Sequence, residues 1–370
     1  MTETEIISEL DSFMDCHFAD DGIKPYDEFE AHYRKTGRLC LFGAGAVGAV
    51  LMDWFEQKGW NIELFCDNNP EKHGKLFCGR PVLPSSSLDD DITILISTGN
   101  FPHIEKQLSE KGLKSFFLGV KPRLVNRDFY TLENWRKSKT RISELLEILE
   151  DESSKITLRE YLKDIFSLSF SRFSSLNTKE QYFPDDLIHL REKEVFVDVG
   201  AYDGDTIHQF LKKENGGKYA EIHAFEVDPD NFLRLKKNTR GLARLYLHNV
   251  GLFDRHTISS INKNNSGSEI VEGAKCGESI ELVRMDDILP DTKATFIKMD
   301  IEGAEKEALA GAETLIKKHA PTLAICVYHK AEDIWEIPLY LKRLVPEYRI
   351  YLRHHTDTEA ETVCYAICDR

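Results

Sequence analysis

Val195-Phe-Val-Asp-Val-Gly-Ala-Tyr-Asp-Gly-Asp-Thr206 is the stretch that decides the fold of the second half of this chain. Its apolar start predicts a buried strand, and its glycines predict a tight turn directly after that strand. The segment Ile222-His-Ala-Phe-Glu-Val-Asp228 predicts a second strand that ends in acidic residues. The segment Ala294-Thr-Phe-Ile-Lys-Met-Asp-Ile-Glu-Gly-Ala-Glu305 repeats this pattern. The three segments therefore predict strands of one α/β sheet.

Acidic side chains stand at or near the carboxyl ends of the three predicted strands: Asp198, Glu226 and Asp300. Ligands of open α/β sheets bind at these strand ends, so we expect the three acids to belong to one site. Gly200 and Gly204 allow the backbone to turn sharply and to approach a ligand closely.

The nature of the ligand follows from the acid at the end of the second strand. Glu226 stands where a carboxylate accepts hydrogen bonds from two ribose hydroxyls. The sequence contains no phosphate-binding G-x-x-x-x-G-K-[ST] motif, so a nucleoside without a pyrophosphate, S-adenosylmethionine, fits best. Asp198 and Asp205 are then expected to face its cationic amino-acid end. The alternative is that these acids only cap a helix that begins near Thr206.

Residues 193–370 resemble the FkbM family of S-adenosylmethionine-dependent methyltransferases. The resemblance lies in the segments Val197–Thr206, Ala224–Phe232, Asn249–Asp254, Phe296–Glu305 and Leu323–Lys330. It implies a seven-stranded methyltransferase sheet closed by a terminal β-hairpin, and methyl transfer to an oxygen of a sugar or metabolite. The cofactor-binding residues expected from these motifs are Asp198, Gly200, Tyr202, Gly204, Asp205, Thr206, Glu226, Val227, Asn249 and Asp300.

Methyl transfer from a sulfonium to a hydroxyl requires a group that orients the acceptor and takes its proton. His329 and Asp300 are the two candidates for the base, and Glu302 is expected to position the acceptor or the cofactor. A divalent metal held by Asp300 and a partner acid is left open, because carboxylates suit magnesium. Glu305 is interpreted as an acid of a first helical turn, where the helix dipole favours it.

A glycine-rich loop in the first half of the chain, Gly43-Ala-Gly-Ala-Val-Gly48, follows a predicted strand and opens a predicted helix. Gly43, Gly45 and Gly48 fit the dinucleotide-binding pattern, and Asp67 stands near the expected place of a ribose-binding acid. This unit is short and lacks a second mononucleotide half. Residues 41–84 are similar to the N-terminal domains of sugar acyltransferases and related sugar-modifying enzymes. The alternatives are a nucleotide or nucleotide-sugar pocket at the helix N-terminus, and a unit that only packs.

The pattern along the chain predicts an α/β protein with two Rossmann-like units. We divide it into an N-terminal helical segment (1–35), a small Rossmann-like domain (36–125), a helical connector (126–192) and a methyltransferase domain (193–370). The connector is interpreted as solvated helical packing, with a lid or a homodimer surface as the alternatives. Two strand-like runs near the C-terminus, Tyr348–Arg353 and Thr362–Cys368, predict the β-hairpin.

Composition limits the classes of partner. The net charge is −15 with no lysine/arginine block, which disfavours a nucleic-acid interface, although Lys121-Pro-Arg123 suffices for a small anionic substrate. No apolar run reaches the length of a membrane span, and the acidic N-terminus does not resemble a signal peptide. Eight cysteines without a Cys-x-x-Cys pair indicate reduced thiols and a cytoplasmic protein.

Three functions remain in competition. The leading hypothesis is O-methylation, by S-adenosylmethionine, of a sugar or metabolite hydroxyl on a small molecule or glycan, with a nucleotide sugar among the candidates. The second is an NAD-dependent oxidoreductase, or an NAD- or nucleotide-sugar-binding protein, that uses the loop from Gly43 to Gly48. The third is a binding or scaffold protein, which the joint presence of Asp198, Glu226, Asp300 and His329 disfavours.

Overall fold

The computed structural model describes residues 1–19, 25–119, 129–167, 170–213, 218–264, 267–271 and 278–368. Two of its sheets are mainly parallel and are interleaved with helices, which confirms the predicted α/β class with two Rossmann-like units. The basic cluster Lys121-Pro-Arg123 lies outside the described residues. Among the helices of the described residues, none has both the length and the apolar character to cross a membrane.

The first sheet has the strand order β3-β4-β2-β1-β5-β6. Its strands are β1 (Leu39–Phe42), β2 (Ile62–Cys66), β3 (Leu76–Phe77), β4 (Arg80–Leu83), β5 (Thr93–Ile96) and β6 (Ser115–Phe116). All neighbours in this sheet are parallel except β3 and β4. The sequence predicts about four strands here. The other two, β3 and β4, were missed because they are short and only Val82 among them is buried.

The helices around this sheet are α1 (Glu3–Ala19), α2 (Pro25–Thr36), α3 (Ala46–Gln57) and α4 (Phe101–Ser109), with short 3-10 helices at Pro70–Lys72 and Ser85–Ser87. The sequence predicts one helical region over residues 1–34, and the structure has two helices with different neighbours. Phe29 of α2 packs on Phe55 and Phe116 of the first unit. In contrast, Asp11 of α1 accepts a hydrogen bond from Trp135 Nε1 in the connector, at 3.0 Å.

The connector is helical, as its periodicity predicts, with α5 (Leu132–Ile148), α6 (Glu152–Ser167) and α7 (Phe173–Leu176). It is fastened to the terminal hairpin by Arg353, whose side chain is almost fully buried. The guanidinium of Arg353 lies 2.6 Å from Asp151 at the start of α6 and 2.7 Å from Asp186. A buried cation with two carboxylate partners fixes the connector against the second sheet, because separating them would leave an unpaired buried charge.

The second sheet has the strand order β16-β17-β15-β14-β7-β8-β9. Its strands are β7 (Val195–Val199), β8 (Glu221–Phe225), β9 (Leu245–His248), β14 (Phe296–Met299), β15 (Thr322–Cys326), β16 (Arg349–His354) and β17 (Thr362–Ile367). The first five are parallel, and β16 and β17 form the antiparallel hairpin at one edge. The predicted seven-stranded sheet with a terminal hairpin is therefore confirmed. Strand order reverses between β7 and β14, which is where open α/β sheets bind ligands.

The remaining helices are α8 (Asp205–Lys213), α9 (Pro229–Asn238), α10 (Met285–Ile288), α11 (Glu305–Ala310), α12 (Glu313–His319) and α13 (Asp333–Leu344). A small sheet that the sequence did not predict lies between β9 and β14 along the chain. Its strands are β10 (Gly251–Leu252), β11 (Thr257–Asn264), β12 (Gly267–Val271) and β13 (Glu278–Val283), in the order β10-β13-β11-β12.

One apolar cluster runs through every part of the chain. It includes Leu10 of α1, Ile94 of the first sheet, Trp135 of the connector, and Val197 and Leu352 of the second sheet. These side chains are at most 1 % exposed. The proposed boundary between connector and methyltransferase domain stays a prediction, and packing across it is continuous.

Candidate active site

The turn after β7 forms the floor of the site. Gly200 has a φ of +78°, and a Cβ on it would lie 1.8 Å from the carbonyl oxygen of Asp300. The amides of Gly200 and Ala201 both donate to the carbonyl of Phe225, at 3.0 Å. Gly204, with a φ of +93°, packs against Thr239. Only glycine permits this conformation and this close approach, so the motif in the sequence is a requirement of the turn.

A cavity of about 610 Å³ opens beside this turn, a size that suits a small organic ligand. Most of the predicted cofactor residues line it: Gly200, Tyr202, Asp205, Thr206, Glu226, Val227 and Asp300. Glu302 of the predicted catalytic group lines it as well. Of the residues that the structure describes, the lining does not include Asp198, Gly204, Asn249 or His329.

Glu226 projects into this cavity from the end of β8. Its Oε2 accepts from the amide of Tyr202 and its Oε1 from the amide of Asp228, both at 2.8 Å. Burial raises the pKa of Glu226 to about 7, because the two amide hydrogen bonds offset only part of the lost hydration. Each oxygen of this carboxylate keeps lone-pair capacity for a further donor.

Lys298 is a functional residue that sequence reasoning missed. It pairs with Asp198 in the register of β14 and β7, and its Nζ lies 3.2 Å from Asp198 Oδ1. The same Nζ donates to the carbonyl of Gly200 at 2.7 Å. Burial raises the pKa of Asp198 to about 6, although Lys298 counteracts this shift. Asp198 therefore supports the turn through Lys298, and its carboxylate does not face the cavity.

Two further predicted residues, Asp205 and Asn249, hydrogen-bond to the local backbone. Asp205 is the first residue of α8, and its Oδ1 accepts from the amide of Thr206 at 2.7 Å. Asn249 Nδ2 donates to the carbonyl of Glu226 at 2.8 Å. These contacts fix the walls around Glu226. Asp205 and Thr206 also line the cavity. Asn249 does not line it and stabilises the end of β8 from outside the cavity.

Asp300 stands opposite the Gly200 turn at the end of β14. The hydroxyl of Tyr182 donates to its Oδ2 at 2.9 Å, and that of Tyr328 to its Oδ1 at 3.2 Å. Burial opposes ionisation of Asp300, but Lys298, His329 and the Tyr182 hydrogen bond outweigh it and lower the pKa of this carboxyl. Asp300 is therefore an ionised acceptor at neutral pH.

His329 lies directly beyond Asp300 and is surrounded by carboxylates. Its Nδ1 is 2.9 Å from Oε1 of the fully buried Glu305, and its Nε2 is 3.4 Å from Asp300 Oδ1 and 3.9 Å from Glu302 Oε2. Burial favours neutral imidazole, yet Glu305 and Asp300 prevail and raise the pKa of His329 to about 10. Glu305 also accepts from the amide of Ile301 at 2.9 Å, so its role exceeds that of a first-turn acid.

Among the residues that the structure describes, two groups of side chains bring candidate metal ligands within 4.8 Å of one another. One consists of Asp300, Glu305 and His329, and the other of Asp300, Cys326 and Glu361. In the first group the protonated imidazole of His329 already supplies a positive charge between the carboxylates. A metal would have to displace that proton.

The far end of the cavity is formed by residues that no motif indicated. Gln181 and Tyr182 come from the segment before β7, and Glu361 precedes β17. Tyr182, Tyr202, Glu302 and Glu361 line the cavity, and each has a φ between +47° and +68°. Strained backbone at non-glycine residues concentrates at functional sites. The sequence carries no signal that these strained residues lie together, since their positions meet only in the fold.

In the first glycine-rich loop, the acid expected to bind ribose is hydrogen-bonded by the protein itself. Asp67 Oδ2 accepts from the amide of Ala44 at 3.0 Å and from Lys72 Nζ at 2.8 Å, and its Oδ1 accepts from the amide of Asn69 at 2.8 Å. A Cβ on Gly48 would lie 2.2 Å from the carbonyl oxygen of Gly43. The pattern of Gly43, Gly45, Gly48 and Asp67 thus builds the turn itself, and the carboxylate expected to bind ribose is engaged within the protein.

The comparisons with known proteins agree with this geometry. Residues 198–357 match the family described as the Methyltransferase FkbM domain. Among solved structures, a methyltransferase FkbM from Methylobacillus flagellatus KT is similar over 99 % of this chain and 100 % of its own, with 23 % identity and a TM-score of 0.75. That likeness shows a shared fold over the whole length, including the first sheet and the connector.

More distant similarities cover about half of the chain. An rRNA methylase from Streptococcus thermophilus is 12 % identical over 55 % of this chain and 96 % of its own, with a TM-score of 0.33. An Aeropyrum pernix fibrillarin, solved with bound S-adenosyl-L-methionine, is 11 % identical over 49 % of this chain and 70 % of its own, with a TM-score of 0.31. No curated protein sequence matches the chain.

The family match covers the Gly200 turn, Glu226, Asp300 and His329, which are the residues that build the site. With the seven-stranded sheet and its terminal hairpin, this match leads to one conclusion: residues 198–357 lie in a methyltransferase domain that is similar to the FkbM family.

Proposed function

We propose that this methyltransferase uses S-adenosylmethionine to methylate a hydroxyl group of a sugar or a related metabolite. One observation carries the proposal. A single cavity joins the Gly200 turn and Glu226, which suit a nucleoside, to Asp300 and Glu302, which suit a hydroxylated acceptor.

The charge of the cavity supports a cationic cofactor. Seven acidic residues line it, against Arg234 and Lys298 as the described lysine and arginine residues in its wall. The acids are Asp205, Glu226, Asp228, Asp230, Asp300, Glu302 and Glu361. S-adenosylmethionine carries a sulfonium and an ammonium group, which this wall attracts. The acidic lining would repel dinucleotides and free phosphates, because it holds few positive charges to offset its carboxylates.

The same charge restricts the acceptor. Ionised carboxylates such as Asp300 accept hydrogen bonds from sugar hydroxyls and so can orient them toward the methyl group. A nucleotide-linked sugar would need to keep its phosphates outside the acidic cavity. We therefore favour the sugar end of a nucleotide-linked sugar, or an uncharged glycan unit, as the group that enters the cavity.

We assign separate roles to Glu302 and Asp300 and weigh the two candidate bases, His329 and Asp300. Glu302 is half-exposed at the cavity wall, so we assign it to acceptor positioning. Asp300 is assigned to holding the reacting hydroxyl. Neither candidate base has a pKa near neutral pH: the pKa of His329 is raised to about 10, and the pKa of Asp300 is lowered. A base works best when its pKa is near the working pH.

The oxidoreductase alternative is not favoured, since Asp67 is occupied by Ala44, Asn69 and Lys72. For the first unit we propose a packing role. We place the reaction in the cytoplasm, on the support of Cys40, Cys66, Cys326, Cys364 and Cys368, which are buried and unpaired with one another.

The proposal is tested with methyl-labelled S-adenosylmethionine and a panel of free sugars, glycosides and nucleotide sugars. We expect label transfer to at least one hydroxylated acceptor, in a base-stable linkage typical of an ether. Asp300→Asn should abolish that transfer. Transfer only to carboxyl or amino groups would overturn the O-methyl assignment.

A further inference from the structure

Glu361 stands at the acceptor end of the cavity and has no place in the assignments above. It lies in the turn that leads into β17, and its φ of +67° is unusual for a residue other than glycine. Its Oε1 accepts from the hydroxyl of Tyr328 at 3.3 Å, and its Oε2 accepts from the side-chain amide of Gln181. The carboxylate is thus held in a fixed orientation beside the cavity that it lines.

Glu361 and Asp300 form a pair. Carboxylate oxygens of the two residues lie within 4.8 Å of each other. The hydroxyl of Tyr328 is 3.2 Å from Asp300 Oδ1 and 3.3 Å from Glu361 Oε1. A tyrosine hydroxyl has one proton to donate, so it can satisfy only one of the two carboxylates at a time. The oxygen of the other carboxyl group then faces the tyrosine oxygen with no proton between them, unless that carboxyl group is itself protonated.

The surroundings decide which carboxyl takes the proton. Asp300 is next to Lys298 and His329 and receives a second hydrogen bond from Tyr182, so it stays ionised. Burial and the negative charge of Asp300 raise the pKa of Glu361 to about 7. Two carboxyl groups in one site with divergent pKa values are a recurrent arrangement for acid–base catalysis.

We propose that Glu361 is the general base that removes the proton of the acceptor hydroxyl. The inference rests on the proposed function, since it names the proton acceptor of that reaction. Asp300 holds the hydroxyl, and the carboxylate of Glu361 receives its proton.

The step is balanced in atoms and electrons. The acceptor oxygen forms a bond to the methyl carbon with one of its lone pairs, while the bond from that carbon to the sulfonium sulfur breaks and its electrons stay on sulfur. The O–H proton goes to Glu361. The products are a methyl ether, S-adenosylhomocysteine and a protonated Glu361, which releases its proton to water.

The pH dependence of this step is set by the groups that face Glu361. They are Asp300 at the end of β14, Cys326 at the end of β15, Tyr328 and His329 after it, and Gln181 and Tyr182 from the segment before β7. Of these, only Asp300 and His329 carry a charge at neutral pH, with opposite signs. At saturating cofactor, where the ionisation of Glu226 no longer limits binding, we therefore expect one ionisation near pH 7, that of Glu361, to control kcat.

The first test compares wild type with Glu361→Gln, which preserves the shape of the side chain. We expect kcat for an acceptor found in the panel to fall about 10²- to 10⁴-fold, the usual contribution of a general base. Wild-type kcat should decline below about pH 7, and this decline should vanish in the variant. The control Asp357→Asn lies in the same hairpin turn on an exposed side chain and should behave as wild type.

A second test needs no acceptor. With glutamate labelled by ¹³C at the side-chain carboxyl, we expect two resonances that titrate near pH 7, one lost in Glu361→Gln and the other lost in Glu226→Gln. Unchanged melting temperature and S-adenosylhomocysteine affinity in the variant would show that it folds.

Equal turnover of wild type and Glu361→Gln, or a Glu361 resonance that titrates near the ordinary glutamate value, would overturn this inference. Either result can occur in a working methyltransferase. Failure of the proposed function is a different result, namely the absence of cofactor binding and of methyl transfer by the wild-type chain.

Discussion

The buried carboxylate of Asp198 lies 3.2 Å from the ammonium group of Lys298, and this ion pair sits directly beneath the turn at Gly200. Both side chains are at most 3 % exposed. Lys298 Nζ also donates to the carbonyl of Gly200, so the pair connects β7 and β14 to the turn that lines the cavity. The shape of the cavity thus depends on an ion pair whose carboxylate, that of Asp198, does not line the cavity.

Removal of Lys298 should destabilise the protein and open the turn. In Lys298→Met, Asp198 loses its buried partner, and breaking such a pair costs about 3–5 kcal/mol. We expect a lower melting temperature and weaker binding of S-adenosylhomocysteine. The double variant Asp198→Asn/Lys298→Met should recover part of the stability, measured by denaturant unfolding. A double variant less stable than the single one would refute the pair as the cause.

Gly200 should not tolerate alanine. The added Cβ would lie 1.8 Å from the Asp300 carbonyl oxygen, and a φ of +78° is strained for alanine. Backbone strain and overpacking together cost about 2–6 kcal/mol. Gly241→Ala is the matched control, because Gly241 has a φ of +90° but no described atom would lie within 4 Å of its added Cβ. Equal losses in melting temperature for the two variants would show that the close approach to Asp300 has no role.

Cofactor affinity should depend on pH through Glu226. The pKa of its carboxyl is raised to about 7, so the protein must release a proton at pH 6 before the ionised carboxylate can receive the ribose hydroxyls. We expect the Kd for S-adenosylhomocysteine to be about tenfold higher at pH 6 than at pH 8. Glu226→Gln should remove this dependence, while Glu361→Gln should retain it. A flat profile in the wild type would contradict the ribose assignment.

Activity should survive removal of divalent metals. Lys298 and the protonated His329 already supply positive charge next to Asp300, which is the charge that a metal would bring. We therefore expect a chelator to leave turnover and S-adenosylhomocysteine binding unchanged. Loss of turnover in the chelator, with recovery on addition of magnesium or manganese, would instead assign a metal to Asp300, Glu305 and His329.

Much of the fold and half of the site could be predicted because strand ends carry local signals. The apolar runs before Gly200, Glu226 and Asp300 predicted the strands, and their acids marked the edge where the cavity lies. A further signal was available for Lys298. A lysine within a buried apolar run requires a partner, and the neighbouring strand offered Asp198.

The other half of the site depends on tertiary structure. Tyr182 comes from the irregular part of the connector that follows α7, and Glu361 from a hairpin turn. No periodicity or spacing relates either residue to Asp300, although Tyr182 contacts it directly and Glu361 shares the hydroxyl of Tyr328 with it. The small sheet from β10 to β13 was missed as well. The glycine-rich loop at Gly43 matched a ligand-binding pattern, yet its acid, Asp67, is used within the protein.

Calorimetric titration with S-adenosylhomocysteine tests the central claim most directly. Wild type should bind one molecule per chain, Glu226→Gln should bind it about 10- to 100-fold more weakly, as expected for loss of a charged hydrogen bond, and Glu221→Gln should bind like wild type. Glu221 is the matched control, at the opposite end of β8, with a partly exposed side chain. The contrary result, equal affinity of Glu226→Gln and wild type or no binding by either, would show that this cavity is not the cofactor site.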